Sequence, residues 1–102
     1  MRIVKKLTEL INEELCDAEK YAKLALEKKE QYPETAELFY SLSLEELKHM
    51  NALHNAVVKL IEPHIGDNDP RTQGMKIAHE ILHEQAIEKE KEVKILQDMY
   101  RE

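Results

Sequence analysis

Apolar residues recur at helical intervals along nearly the whole chain, and in two of the stripes they form a ligand-type side chain stands where a hydrophobe belongs. In mid-chain the series Leu42, Glu46, His49, Leu53, Ala56, Leu60 runs at spacings of four, three, four, three and four. That period keeps side chains on one face of an α-helix. The earlier series Leu7, Ile11, Glu14, Ala18, Tyr21, Ala25 has the same character. Towards the end, Met75, Ala78, Leu82, Ala86, Lys89, Val93, Leu96, Tyr100 is the best apolar stripe, with Ile77, Ile81, Glu84, Glu88, Ile95 as a second.

Two proline-marked breaks separate these stripes. Pro33 follows Tyr32 and precedes Glu34 and Glu37, a pattern that suits a helix start and its dipole. The run from Glu62 through Gly66 and Asp67 to Asp69 and Pro70 is a polar turn cluster, with Asp69 placed to cap the next helix. Helices are therefore predicted over about residues 3–30, 33–62 and 70–101, each about 40 Å long. Short connections make consecutive helices antiparallel, so the fold class is an all-α bundle of three long helices in one domain over residues 1–102. No repeat, low-complexity tract or flexible linker divides it.

Composition agrees with helix. Of 102 residues, 42% are hydrophobic and 35% charged, with two Gly, three Pro, one Phe and no Trp. A chain of this size has a modest core, which favours burying a further face against a partner subunit. A net charge of −6 argues against nucleic acid and for cations as ligands. No apolar run reaches membrane-spanning length, and the basic residues between Met1 and Lys6 precede no apolar signal segment, so a cytoplasmic location away from membranes is expected. The single cysteine, Cys16, makes no internal disulfide and reads as a small buried apolar residue in a reducing compartment.

The stripe positions of Glu46 and His49 direct both into a core. A buried carboxylate costs several kcal/mol unless a partner or a metal compensates it. Glu14 is the matching carboxylate of the first helix, and in an antiparallel pair it falls within about one helical turn of Glu46 and His49. Two carboxylates with one imidazole suit iron or manganese, whereas a structural zinc more usually recruits thiolates or several histidines. The spacing Glu-x-x-His is weak alone: seventeen Glu and five His give about one such pair by chance, and the chain has two, Glu46 to His49 and Glu80 to His83. The first is distinguished by its stripe and by Glu14.

Other polar residues have plainer readings. Tyr21 is a core tyrosine with a bonded hydroxyl, or a hydrogen-bond partner of the Glu14 carboxylate. Glu13, Glu45, His54 and His64 are assigned to solvent. His79, Glu80, His83 and Glu84 form a ligand-rich patch that falls mostly on the flank of the best stripe of the third helix. That patch is a solvated or dimer-rim face, or else a metal entry or further ligand group, with Glu84 on the second stripe.

The run Glu13-Glu14-Leu15-Cys16-Asp17-Ala18-Glu19-Lys20-Tyr21, followed by Leu38-Phe39 and Glu45-Glu46-Leu47-Lys48-His49, resembles the ferritin-like superfamily, nearest to rubrerythrin-type di-iron domains and the short encapsulated ferritins. The resemblance covers roughly residues 7–60. It implies a ferritin-like antiparallel bundle, a di-iron centre held by Glu14, Glu46 and His49, with Tyr21 at the family's tyrosine position, and ferroxidase-type oxidoreductase activity. Manganese and zinc are the alternative metals. A full ferritin-like bundle has four helices and repeats the ligand set in its second pair, whereas three helices are read here. The short encapsulated members dimerise to complete the centre, so the resemblance implies a homodimer or higher homo-oligomer, Glu46 bridging two irons, and a shell protein as a further partner. The tail Leu96 to Glu102 shows no cargo-loading peptide, and there is no Cys-x-x-Cys rubredoxin module. Two other classes stay open: a non-catalytic ferritin-like interaction module with Glu14, Glu46 and His49 as a hydrogen-bonded cluster, and a redox-silent structural metal site.

Overall fold

Proline opens two of the three helices, and local hydrogen bonds explain why each begins there. The computed structural model describes residues 2–102, with Met1 outside the described residues. It contains α1 (Arg2–Lys28), α2 (Pro33–Ile61) and α3 (Pro70–Arg101), with a short 3-10 turn at Glu62–His64, and no strand among the described residues. After α1 the Tyr32 N–H donates back to the Lys28 carbonyl at 2.8 Å, and the Tyr32 carbonyl accepts from Ala36 at 2.8 Å, starting α2. Pro33 lies at the first helical position, where a missing N–H loses nothing. After the 3-10 turn, Gly66 takes φ 101°, a left-handed conformation that favours glycine. The Asp69 carboxylate then accepts the Thr72 N–H at 3.0 Å and caps α3.

Antiparallel α1 and α2 form the principal pair, and α3 packs mainly on α1. The bundle extends 57 × 18 × 15 Å. No helix among the described residues is long and apolar enough to cross a membrane. The core is supplied by Val4, Ile11, Leu15 and Ala18 of α1 with Leu47, Met50, Val57 and Ile61 of α2 and Val93 of α3. The run Ala18, Ala22, Ala25 is fully buried, and its small side chains let the neighbouring helices come close.

The buried seams differ from the stripes expected from hydropathy. In α2 the fully covered series is Ala36, Ser43, Leu47, Met50, Val57, Ile61. The neighbouring series with Glu46 and His49 is half-buried or exposed. α2 is apolar over both rows, and burial falls on the row that faces α1 and α3 together. In α3 the inward row is His79, His83, Ala86, Glu90, Val93, Gln97, Tyr100; it shares Ala86, Val93 and Tyr100 with the expected stripe and lies one position further along at the others, while Ile77, Ile81, Leu82, Ile87 and Ile95 are exposed. Cys16 is exposed, not buried, because it lies off the row of Leu15 and Ala18.

Polar groups in the α3 seam have partners on both other helices. The Gln97 amide donates to the Ser43 hydroxyl at 2.8 Å, and Ser43 donates to the Ala18 carbonyl at 2.7 Å, both bonds buried. The Tyr100 hydroxyl donates to Glu37 at 2.6 Å, and its ring stacks on Tyr40 at 4.8 Å. Lys29 donates to the carbonyls of Tyr100 and Glu102 at 2.7 and 3.0 Å, placing a cation at the negative end of α3. Lys89, expected on an apolar stripe, instead reaches Glu19 of α1 at 2.6 Å. All buried residues of α3 lie from Val93 onward, so its C-terminal half is clamped and its N-terminal half lies lightly on the pair.

Ser43→Ala should leave the Gln97 amide without its acceptor and lower unfolding free energy by about 1–3 kcal/mol in urea melts. Adding Gln97→Leu should recover much of that loss, because both polar partners are then gone. The Glu19–Lys89 pair should leave a pH signature. The hydrogen bond from Lys89 is the main cause holding the Glu19 carboxyl below its ordinary 4.5 against the opposing effect of burial. A carboxyl lowered in the folded state contributes stability above its unfolded value, lost as pH falls through the folded one. The same bond raises Lys89 above 10.5, so the ammonium contributes below that value and loses its contribution as pH rises through the folded one. Lys89→Met should therefore flatten stability against pH just below 4.5, by under about 1 kcal/mol since the pair is partly solvated, as read by denaturation at successive pH values.

Candidate metal centre

The bond from Ser43 to the Ala18 carbonyl sets the antiparallel register of α1 and α2. Four residues further along α2 and four back along α1, position 47 stands opposite position 14. Glu46 and His49 bracket that level, so Glu14 meets both.

His49 Nδ1 lies 3.4 Å from Glu14 Oε2 and 3.7 Å from Glu46 Oε2. One ligand atom from each of the three residues falls within 4.8 Å of the others, and no other group of three or more His, Cys, Asp or Glu among the described residues does so. Donors about 2.1 Å from one ion stand about 3.0–3.4 Å apart when adjacent and about 4.2 Å when opposite. The cluster is thus slightly wider than a closed ligand set, and small side-chain rotations close it. Without an ion, the Nδ1 to Glu14 contact is at the long limit of a hydrogen bond. Ligation through Nδ1 requires that nitrogen to give up its proton and the ring to keep Nε2–H.

The three side chains line an open face and do not enter the core. Glu14 and Glu46 retain 24% and 17% side-chain exposure and His49 57%. This corrects the placement expected from the stripe, and its cause is α3. That helix lies on the side of the pair marked by Glu19, Glu37 and His54, leaving the opposite side bare. On the bare side the cluster is flanked by half-buried Leu7, Leu10, Leu24, Leu42, Leu53 and Leu60. The donor set, two carboxylates and one imidazole, fits a divalent iron or manganese ion but fills only part of its coordination shell.

The remaining candidates separate from this cluster. Tyr21 is half-buried and stacks on Phe39 at 6.3 Å, with no hydrogen bond to Glu14 among the described residues. Glu13 and Glu45 are exposed, and Glu45 pairs with Lys48 at 3.2 Å. Glu80 and Glu84 are exposed on α3. His79 and His83 face α1 and α2 on the far side of the pair, where His83 stacks on His54 at 4.6 Å. His54, assigned to solvent from sequence, is therefore half-buried, because it belongs to the inner row of α2 with Met50 and Val57. The heptad-like spacing of that row was the available signal. His64 is also half-buried, held by Asp67 at 3.1 Å. Comparison of the chain with family models, curated proteins and solved structures found no match.

Proposed function

We propose that this chain is a ferritin-like di-iron carboxylate protein of ferroxidase type, whose centre is completed by a second copy. The observation that carries the reading is the convergence of Glu14, Glu46 and His49 on the side of the bundle that α3 leaves bare. Two such faces apposed about a twofold axis supply four carboxylates and two imidazoles, and bury the leucines around them. One chain alone leaves the donor set incomplete and those leucines partly wet.

Ferrous iron is the substrate, and it supplies one-electron chemistry: two ferrous ions become ferric while dioxygen takes two electrons and two protons and leaves as hydrogen peroxide. Peroxide is the alternative acceptor. The chain's own residues set the preference for that direction. Glu14 and Glu46 would hold the iron and present negative charge, which stabilises a trivalent ion more than a divalent one. Neutral His49 supplies a nitrogen donor without adding charge. The surrounding leucines, covered on dimerisation, exclude water and strengthen these interactions.

Anaerobic loading with Fe(II) should give one iron per chain by elemental analysis and a dimer by light scattering, and admitted oxygen should be consumed faster than in protein-free buffer. Glu46→Gln should weaken iron binding at least about tenfold and return oxygen consumption to the protein-free rate, with helicity unchanged by circular dichroism. A monomer at every concentration sinks the shared centre. Bound iron with no faster oxidation establishes a redox-silent structural site. No bound metal, with unchanged stability in Glu46→Ala, leaves the interaction module.

A further inference from the structure

Three of the five histidines meet on the opposite side of the α1–α2 pair from Glu14, Glu46 and His49. His54 projects from the inner row of α2, and His79 and His83 stand one turn apart on α3. The ring centroids of His54 and His83 are 4.6 Å apart and those of His79 and His83 5.9 Å. All three rings line a cavity of about 160 Å³ between the helices, together with Thr8, Asn51 and Glu90.

The arrangement inverts the usual economy of a helix seam. Ile77 and Ile81 of the same helix stretch are turned to solvent while the imidazoles face inward. No hydrogen bond to a protein group engages the three rings among the described residues, so their nitrogens remain available to a ligand. Burial first, and the nearby His83 second, hold His54 below its ordinary value, with Glu90 opposing. Burial and the two other histidines do the same to His79, with Glu80 opposing. Both shifts disfavour the protonated ring, and a metal is bound by the neutral one.

The three donor nitrogens do not all lie within 4.8 Å of one another as the rings stand, so a shared ion needs the side chains to turn, and the ring separations set how far. With a metal–nitrogen bond of about 2.0–2.1 Å, two imidazoles on one tetrahedral ion have ring centroids about 5.2 Å apart. The observed 4.6 and 5.9 Å bracket that value. The rings now lie nearly parallel, at interplanar angles of 16° and 22°, so ligation requires them to turn edge-on toward a common point. His79 and His83 at i and i+4 are already spaced for that on one helix face.

We propose that His54, His79 and His83 form a second metal site, of the zinc class, binding Zn²⁺ or Co²⁺ through three imidazole nitrogens with Glu90 or a cavity water as the fourth donor. Its nitrogen donors discriminate against Mg²⁺ and Ca²⁺, and distinguish it from the carboxylate-rich cluster on the other face. The ion ties the lightly packed N-terminal half of α3 to α2.

The test uses the full chain carrying Glu14→Gln and Glu46→Gln, which disables the first cluster and makes the outcome independent of the iron reading. Calorimetric titration with Zn²⁺ should give one ion per chain, Co²⁺ should give the intense visible absorption of tetrahedral coordination, and Zn²⁺ should raise the thermal midpoint. His54→Gln and His83→Gln, added singly, should each weaken Zn²⁺ binding at least about tenfold while helicity is kept. Loss through His54→Gln demonstrates the bridge between helices. Equal Zn²⁺ affinity in the histidine variants, or weakly absorbing octahedral Co²⁺ in both the double variant and the unaltered chain, overturns the proposal.

Discussion

The hydrogen bonds that run from Gln97 through Ser43 to the Ala18 carbonyl are the constraint on which the rest of this bundle depends. Apolar contacts alone would let three long amphipathic helices slide by a turn at little cost, since each row offers similar leucines and alanines at successive levels. A buried amide has no such freedom: displaced from Ser43, it loses its acceptor in a region without water. Polar groups buried at a single level are an established means of fixing register between helices. Here the fixed level of Ser43 against Ala18 brings Glu14 between Glu46 and His49, and the fixed level of Gln97 helps bring His83 to His54.

Uneven packing of α3 follows from where its anchors lie. Gln97, Tyr100 and the Lys29 contacts to the last carbonyls all act on its final turns, with Val93 the buried residue furthest back along the helix. Beyond Lys89 and Glu19 the inner row offers Ala86, His83 and His79, which bury little apolar area. The N-terminal half is therefore held lightly, which is also why a cavity persists beside the histidines. The same helix, lying across only one side of α1 and α2, leaves the other side with half-covered leucines around a cluster of charge.

How much of this was legible in the sequence depends on what set each feature. Three helices with starts at Pro33 and Pro70 are local properties, written in proline, a cap and periodicity. The grouping of Glu14 with Glu46 and His49 followed from antiparallel counting and survives a small error of phase. Phase itself was not legible. One residue is about 100° of rotation, and α2 carries apolar side chains on two adjacent rows, so hydropathy could not tell the row facing two helices from the row facing one. In α3 hydropathy found Ala86, Val93 and Tyr100 but missed Gln97, His83 and His79, polar residues that the same seam covers. Cys16 and His54 were misplaced for a like reason: Cys16 lies one step off the buried row of α1, His54 lies on that of α2, and only packing decides which row is buried.

α2 carries donors on two sides, and the difference between them is chemical as well as spatial. Glu46 and His49, with Glu14, present oxygen-rich donors on an open face of the bundle. His54, with His79 and His83, presents imidazole nitrogens within one chain beside a partly open cavity. Ions that prefer oxygen have little reason to enter the second set, and zinc-class ions gain more from three imidazoles than from one. A helix with donors on one side only could be explained by a single buried compensation of charge. Two donor sets of different softness, at levels fixed by one buried hydrogen-bond relay, would on the two proposals let α2 select metals by position along one helix, which ties its polar side chains to a single cause.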